Sequence, residues 1–544
     1  MPAVTTVADT MLRSLRAHGV DRVFCVAGES YLPLLDALYD CAEVDVVGCR
    51  HEGSAGFAAL ADAKLTRRAG VCLVSRAPGA ANAAIAVHAA AEDATPLVLF
   101  VGDVPLPDLD RETFQSGRPL GDRAKAVWTL HDPSSTGETV RRAFRVAESG
   151  TPGPVVLFVP EDVFDRDGAD GPATRVELGR VVADGRELDT VRGLLGSARR
   201  PLLLAGSALD TPQGRTRLRE FAERHEVAVL TSNKNQHLLD NRHACYAGHL
   251  HNATGPGQLA EFDRSDLVLA IGTRLGQTTT RQLRFPRGPE PGQPLVHVHP
   301  DAARIGRYHQ VTTGFAMDPA DFLAQLTDTD VPRPRRDEWC LRLHRIEEER
   351  ARWIPPSDPE VVTAGDIAAA LDELTGGAVT VVVDSGTFTG WTYRYLRFAG
   401  NGRLVGIDSS AMGFGPGAAL AVAARDPAVP TVVIIGDGGF GMNGGELATI
   451  CERLLPVVFV VSDNASLGTI RLHQRRRYPD REIATDLANP DFRLLAKAHG
   501  ALGLSADTPA DVRTCLAKAL EHPGPSLVAV RTSREYLTPA AVPR

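Results

Sequence analysis

The chain of 544 residues lacks the features that mark several special classes of protein. Its longest apolar runs are only as long as a β-strand, so no membrane-spanning segment is expected. It has no excess of basic residues: the net charge is −8, which gives no electrostatic reason to expect binding to nucleic acid or to an anionic membrane. Its eight cysteines are scattered without a C-x-x-C pair, so neither a disulfide framework nor a zinc site is indicated.

The amino-terminal segment lacks the apolar core and cleavage site of a secretory signal and is typical of a helix, so we expect a cytoplasmic protein. Short β-branched runs alternate with helical segments along most of the chain, a pattern typical of α/β domains with parallel sheets. Two stretches, 165–189 and 327–358, have the composition of linkers. We therefore expect three doubly wound parallel-sheet domains, at residues 1–165, 186–328 and 359–544.

The middle third offers two negative observations. No G-x-G-x-x-G opens a helix there, so a dinucleotide site has no support from a motif. The stretch 232–255 is rich in histidine, asparagine and glutamine, but its histidines do not follow the spacing of metal ligands. We predict a solvated loop near the pocket for this stretch.

The most informative stretch runs from Thr431 to Gly468. The apolar run Val432–Ile435 ends in Gly-Asp-Gly, and a second apolar run, Val457–Val461, ends in Asp-Asn. A helical segment lies between them, with its start predicted near Asn443, so the pattern is that of a strand–helix–strand unit. The carboxyl ends of adjacent parallel strands form the edge of a sheet at which ligands bind.

The residues at these strand ends favour a divalent metal that holds a diphosphate. Asp437 supplies a carboxylate and Asn464 an amide oxygen, and Mg²⁺ commonly shares its octahedral shell between such oxygens and phosphates. Gly436 and Gly438 leave the backbone bare, so phosphates can approach closely. A helix amino terminus at this edge would also favour an anion. The alternative is two unrelated turns at strand ends.

Another candidate is Glu52, which follows a predicted strand and opens an Ala/Gly-rich helix. Taken alone, Glu52 is equally an ordinary first-turn glutamate stabilised by the helix dipole. Met412 lies in a Gly-rich segment after a later strand, and its ordinary role would be core packing.

These segments together resemble the acetohydroxyacid synthase-like branch of the thiamine diphosphate (ThDP)-dependent 2-oxo-acid enzymes. Gly436-Asp437-Gly438 with the later Asp463-Asn464 resembles the ThDP signature, and the segment RHEGSAGFAALADA at 50–63 resembles the glutamate-bearing segment of the family. PGAAN at 78–82 is similar to the family's GPGATN, and SSAMGFG at 409–415 is similar to its G-x-M-G-F/Y-G. The similarity covers nearly the whole chain.

The resemblance implies pyrimidine-binding, central and diphosphate-binding domains, in that order. It implies that Asp437, Asn464 and the carbonyl of Ser466 bind Mg²⁺. Glu52 would place a carboxyl group against the aminopyrimidine, and Met412 would hold the cofactor in its folded shape. The other cofactor-binding residues that it implies are Pro78, Asn82, Gly386, Thr387, Phe388, Ser410, Gly436, Gly438, Gly439, Leu467 and Gly468.

The same resemblance suggests residues of the substrate pocket. Phe114 and Gln115 are similar to a pair near the thiazolium in that branch, and Gln115 is a catalytic candidate. His88 is a candidate proton relay or an ordinary helix histidine. Three further candidates for the pocket are Thr469, Ile470 and His473.

The chain departs from the family pattern at three places. Arg76-Ala77 stands where Ser/Thr-Gly is usual, Ser116 replaces a glutamate, and Phe388 stands where a histidine is usual. The first two changes border the expected pocket, so they concern the substrate more than the cofactor.

We therefore expect decarboxylation of a pyruvate-like 2-oxo acid with carboligation to an acceptor carbonyl, as in acetolactate synthase. The alternatives are a ThDP-dependent lyase or decarboxylase, acting on a 2-hydroxy ketone, a 2-hydroxyacyl thioester or a 2-oxo acid, and a catalytically silent binding subunit with the same fold. The expected cofactors are ThDP and Mg²⁺, without FAD. The resemblance also implies a homodimer or homotetramer with active sites between subunits.

Overall fold

A computed structural model describes residues 5–111, 113–168, 174–177, 179–328 and 334–541. In these residues the chain forms three sheets of six strands each, one in each third of the sequence. We refer to the three units built on these sheets as the first, central and third domains.

The first domain has strand order β2-β1-β3-β4-β6-β5, and its strands pair in parallel. The strands are β1 (Arg22–Cys25), β2 (Asp45–Gly48), β3 (Gly70–Ser75), β4 (Leu97–Asp103), β5 (Ala126–Thr129) and β6 (Pro154–Pro160). The helices are α1 (Val7–Ala17), α2 (Leu32–Tyr39), α3 (Glu52–Thr66), α4 (Arg76–Asp93) and α5 (Thr136–Glu148).

The central domain repeats this design with strand order β12-β11-β10-β7-β8-β9, again in parallel. Its strands are β7 (Pro201–Ala205), β8 (Ala228–Thr231), β9 (Tyr246–His249), β10 (Leu267–Ile271), β11 (Leu295–Val298) and β12 (Thr313–Phe315). Its helices are α6 (Gly185–Ser197), α7 (Pro212–His225), α8 (Pro256–Phe262) and α9 (Pro319–Thr327), and α10 (Asp337–Ala351) follows them.

The third domain has strand order β14-β13-β15-β16-β18-β17, also in parallel. Its strands are β13 (Thr380–Val383), β14 (Arg403–Val405), β15 (Thr431–Gly436), β16 (Val457–Asp463), β17 (Leu502–Ala506) and β18 (Ser526–Arg531). Its helices are α11 (Ala364–Thr375), α12 (Thr389–Tyr395), α13 (Phe414–Arg425), α14 (Asp437–Asn443), α15 (Leu447–Glu452), α16 (Gly468–Arg477), α17 (Phe492–Ala498) and α18 (Pro509–Glu521).

The predicted fold class, three doubly wound parallel α/β sheets, is confirmed. The β-branched runs that indicated strands are central strands: β15 and β16 are buried along nearly their whole length, as expected for parallel sheets covered by helices on both faces. Among the described residues, no helix is long and apolar enough to span a membrane.

Two local predictions are wrong. The helix after Gly436 begins at Asp437, immediately at the end of β15, and not near Asn443. The stretch 232–255 is a buried interdomain junction and not a solvated loop, because its polar side chains find partners in the folded chain. Asn233 donates a hydrogen bond to Asp408 (2.7 Å), and Asn241 accepts one from the backbone N–H of Phe398 (2.9 Å).

The first and third domains share one hydrophobic core through the contact between α3 and α13. Gly53 through Ala63 on α3 are all buried, and the ring of Phe57 packs edge-to-face on Phe414 with centroids 5.6 Å apart. A Cβ built on Gly417 would lie 2.5 Å from the carbonyl oxygen of Ser54. The small residues of both helices therefore permit an approach that larger ones would block, and this contact fixes where Glu52 lies.

We expect Gly417→Ala to destabilise the protein by about 1–3 kcal/mol, because the added methyl group collides with the backbone of α3. The measurement is the apparent unfolding temperature. Gly257→Ala in α8 is the matched control, since a Cβ there meets nothing within 4 Å. Equal unfolding temperatures for the two variants would contradict the close packing of α3 and α13.

Candidate functional site

A cleft of about 460 Å³ opens at the carboxyl edge of the third sheet, a size typical of ligand sites. It is formed by the turns after β13, β15 and β16 and by parts of the central domain. The structure brings the following predicted residues together in its lining: Gly386, Thr387, Phe388, Ser410, Met412, Gly436, Asp437, Gly438, Gly439, Asn464, Ser466, Leu467, Gly468, Thr469 and Ile470. His473 lies further along α16 on an exposed surface, outside this lining.

Asp437 is the charged group at the centre of this edge and is only 4% exposed. Its Oδ1 accepts a hydrogen bond from the N–H of Gly438 (2.9 Å), and its Oδ2 accepts one from the N–H of Ser466 (3.2 Å). Burial raises the pKa of Asp437, and these hydrogen bonds oppose that rise. A buried carboxylate of this kind is stabilised further by a cation.

The neighbouring Asn464 supplies an observation that fits such a cation. Its Oδ1 is buried and has no hydrogen-bond partner within the described part of the chain. An unpaired buried oxygen is costly, and a metal ion would satisfy it. The described residues hold no cluster of three or more His, Cys, Asp or Glu side chains suited to a metal. A site with one carboxylate, one amide and one carbonyl therefore fits Mg²⁺ that completes its shell with phosphate oxygens.

Asn489 belongs to this edge, although no motif indicated it. Its side-chain amide donates to Oδ2 of Asp437 and to Oδ1 of Asp463, each at 2.8 Å. It thus separates two carboxylates that adjacent strands bring together. Asn489 lies in the segment before α17, so only the folded chain places it here.

A buried carboxylate on β13's carboxyl end holds the turn that carries Met412. Asp384 accepts hydrogen bonds from the N–H groups of Gly413 (3.1 Å) and Gly415 (2.8 Å), and burial raises its pKa to about 6. Gly413 has φ of +80°, a conformation that favours glycine. With the turn held in this way, Met412 lies close to the Gly438 turn: its Cε would be 3.4 Å from a Cβ at Gly438.

Phe388 fills the space beside the two glycines that border the cleft. Its ring lies 2.3 Å from a Cβ built on Gly386 and 3.2 Å from one built on Gly436. The ring is nearly fully buried. Any side chain at either glycine would displace it, and the aromatic ring offers no hydrogen-bond donor to an anion. Thr387 and backbone N–H groups beside Phe388 can still donate to an anion.

The candidates of the first domain lie on a different surface. Glu52 is the first residue of α3, and its Oε2 accepts a hydrogen bond from Nδ2 of Asn82 (2.8 Å). Pro78 and His88 are exposed on α4, and Phe114 is 77% exposed. As formed by the described residues of one chain, the cleft has no lining residue from the first domain.

Comparisons with known proteins agree with this arrangement. Three family models match the chain: the N-terminal thiamine pyrophosphate (TPP, that is ThDP) binding domain at residues 5–121, the central domain at 188–326 and the C-terminal TPP binding domain at 384–530. The chain is 30% identical to the acetolactate synthase large subunit of Parasynechococcus marenigrum, over 98% of this chain and 88% of that protein. The chain belongs to the thiamine pyrophosphate enzymes, in their acetolactate synthase-like branch.

Two further relatives support the assignment. Identity is 29% to the mitochondrial acetolactate synthase of Schizosaccharomyces pombe, over 98% of this chain and 83% of that protein. Identity is 28% to the isozyme 2 large subunit of Escherichia coli, over 96% of this chain and 95% of that protein. The predicted family, the ThDP cofactor with Mg²⁺ as its usual companion and the class of ThDP-dependent carboligases and decarboxylases are therefore confirmed.

In this ThDP enzyme Arg76, where the family usually has a small residue, contacts the loop that carries Gln115. Nη1 of Arg76 donates to Oε1 of Gln115 (3.1 Å), and Nη2 pairs with Glu161 (2.7 Å). Nη1 also lies 3.1 Å from a carboxylate oxygen of Glu29. Gln115 therefore takes part in a charged network on the first domain, and its predicted catalytic role stays a prediction.

A second residue that no motif indicated is Glu446, which fixes the backbone just before Glu52. Its Oε1 accepts hydrogen bonds from the N–H groups of Arg50 (2.8 Å) and His51 (3.1 Å). The side chain is 1% exposed, and burial raises its pKa. In this ThDP enzyme the third domain thus determines the position of the first domain's candidate acid.

We expect Glu446→Ala to speed amide hydrogen exchange at Arg50 and His51 about ten-fold in the cofactor-free protein, because both N–H groups lose a buried acceptor. Glu446→Gln should keep exchange slow, since its Oε1 can still accept. Glu452→Ala is the control, because the hydrogen bond of Glu452 in the described part of the chain is to the exposed side chain of Arg50 and not to its backbone. Unchanged exchange in Glu446→Ala would show that Glu446 does not hold this segment.

Proposed function

We propose that the protein decarboxylates a pyruvate-like 2-oxo acid and joins the remaining unit to an acceptor carbonyl, with ThDP and Mg²⁺ as cofactors. The observation that carries the proposal is the buried Asp437 beside the unpaired Oδ1 of Asn464 in a ligand-sized cleft. The relatives named above are acetolactate synthases, which supports this reaction over others of the family. We assign the pyrimidine-binding domain to residues 1–165, the central domain to residues 186–328 and the diphosphate-binding domain to residues 359–544.

In the proposed mechanism, Asp437, Asn464 and the carbonyl of Ser466 would hold Mg²⁺, which would position the diphosphate. Bound ThDP supplies the electron sink for the loss of CO₂. The glycines beside Asp437 let phosphate oxygens approach the backbone, and Thr387 offers a hydroxyl group to them. Met412, which lines the cleft from the third domain, would support the rings of the cofactor. Coverage of the cleft by a second chain would exclude water, which would strengthen these electrostatic contacts.

We propose a homodimer, because the cleft formed by the described residues of one chain has no lining residue from the first domain and Glu52 would have to come from a second chain. A homotetramer would consist of two such dimers. Glu52 would hold a proton at the pyrimidine ring, and it lies half-buried at the surface of the first domain. Large apolar side chains on that surface, Phe114 at 77% exposure and Ile85 at 40%, support its burial against a second chain. The partner subunit's Glu52 then faces the cleft of this chain. Pro78, Asn82, Gln115 and His88 would enter the site in the same way.

We expect ThDP to bind only in the presence of Mg²⁺, and Asp437→Ala to weaken that binding roughly 100-fold or more, because it removes a direct ligand of the metal. Isothermal titration calorimetry, before and after treatment with EDTA, measures both effects. Asp507→Ala, which removes an exposed carboxylate of the same domain, should bind as the wild type does. Binding of ThDP that is indifferent to both EDTA and Asp437→Ala would contradict the proposed metal site.

Turnover distinguishes the remaining alternatives. The loaded enzyme is offered a panel of 2-oxo acids, 2-hydroxy ketones and 2-hydroxyacyl thioesters, and the products are identified by mass spectrometry. A ligated 2-hydroxy-2-alkyl-3-oxo acid supports the carboligase. Cleavage of a 2-hydroxy ketone would favour the lyase, and tight ThDP binding without any turnover would favour a silent binding subunit.

A further inference from the structure

One wall of the candidate cleft comes from the central domain and has no role in the proposed mechanism. After β9 the chain continues through His251, Asn252 and Ala253, and all three line the same cleft as Asp437 and Met412. His251 thus belongs to the histidine-rich stretch whose spacing excluded a metal site.

The ring of His251 is held in place by two other rings. It stacks on His249 with centroids 4.7 Å apart and planes inclined by 20°. The ring of Tyr393 meets both edge-on, at 5.9 Å from His251 and 6.1 Å from His249. His249 is 1% exposed, and neither of its ring nitrogens has a hydrogen-bond partner among the residues described. His249 therefore contributes the face of its ring, which orients His251.

Both imidazoles are neutral at neutral pH. Burial lowers the pKa of His251, and the nearby positive charges of Arg350 and Arg281 lower it further. Burial lowers the pKa of His249 as well, with His251 and Arg350 adding to the effect. Arg350 keeps its charge because Glu347 binds it through two contacts of 2.7 Å. The facing Tyr393 stays neutral, since burial raises its pKa far above the physiological range.

Hydrogen bonding decides which nitrogen of His251 carries the proton. The backbone N–H of Ala253 donates to Nδ1 of His251 (3.3 Å), so Nδ1 is the acceptor and Nε2 carries the hydrogen. His251, which lines the cleft, therefore carries one neutral N–H donor on a ring held by its neighbours. A neutral imidazole donates a hydrogen bond to a carbonyl oxygen without giving up its proton.

We propose that His251 is a substrate-binding residue whose Nε2–H donates a hydrogen bond to the carbonyl oxygen of the 2-oxo acid. The inference rests on the proposed function. That oxygen gains negative charge when its carbon is attacked, and a fixed donor stabilises the charge as it develops. The stack on His249 and Tyr393 supplies the fixed orientation that such stabilisation requires.

The test compares two variants that each replace one ring of the stack. His251→Phe keeps a ring against His249 and Tyr393 but removes the donor, and His249→Phe alters only the ring behind it. With pyruvate as the first probe, and then the 2-oxo acid that the wild type consumes fastest, we expect kcat/KM to fall about 100-fold in His251→Phe and to change only a few-fold in His249→Phe. His251→Gln, which retains an N–H donor, should recover part of the loss.

Calorimetry of ThDP with Mg²⁺ accompanies these assays and should give the same affinity for the wild type and both phenylalanine variants. Wild-type kcat/KM in His251→Phe would overturn the inference, as would an equal loss in His249→Phe. In either case wild-type turnover remains, so the proposed function stands. A wild type that consumes no 2-oxo acid would overturn the proposed function, and the inference with it.

Discussion

The structure depends on a carboxylate buried at the end of a central strand. Asp437 is removed from water, where an unpaired charge is expensive, and it is tolerated because backbone N–H groups and Asn489 surround it. The unpaired amide oxygen of Asn464, at the end of the next strand, supplies a second ligand for a cation. The glycines and the Met412 turn that line the cleft lie around this charge. A cation that neutralises Asp437 would also hold the diphosphate of the cofactor.

A second constraint connects the charge to the distant Glu52. The chain from Asp437 runs through α14 to Glu446, whose buried carboxylate holds the backbone before Glu52. Close packing of Gly417 on Ser54 fixes the same region from α13. The packed first and third domains of one chain therefore carry both the metal-side residues of one proposed site and the acid of another. A disturbance of the core between the first and third domains should affect both ends of the cofactor.

The sequence alone predicts the position of those site residues that lie at the ends of predicted strands. Asp437 and Asn464 could be placed because the carboxyl edge of a parallel sheet follows from periodicity. Met412 was indicated by the resemblance of its Gly-rich segment to the family motif. Asn489 and Glu446 could not be placed, because their contacts join segments far apart in the chain and no local pattern records them. The prediction of a solvated loop for the histidine-rich stretch is wrong for a related reason. Polar side chains in a sequence indicate exposure to solvent, but in the fold these side chains have hydrogen-bond partners in the third domain. The helix after β15 begins at Asp437, about two turns earlier than the predicted start near Asn443.

The most direct test of the account asks whether one cofactor site takes its metal ligands from one chain and its acid from another. Chains carrying Glu52→Gln and chains carrying Asp437→Ala are combined, and the mixed dimer is purified by two different tags. The account predicts that each homodimer is nearly inactive and that the mixed dimer regains about half of the wild-type activity, because one of its two interfacial sites holds both native residues. Activity of the mixed dimer no higher than that of the homodimers would contradict it.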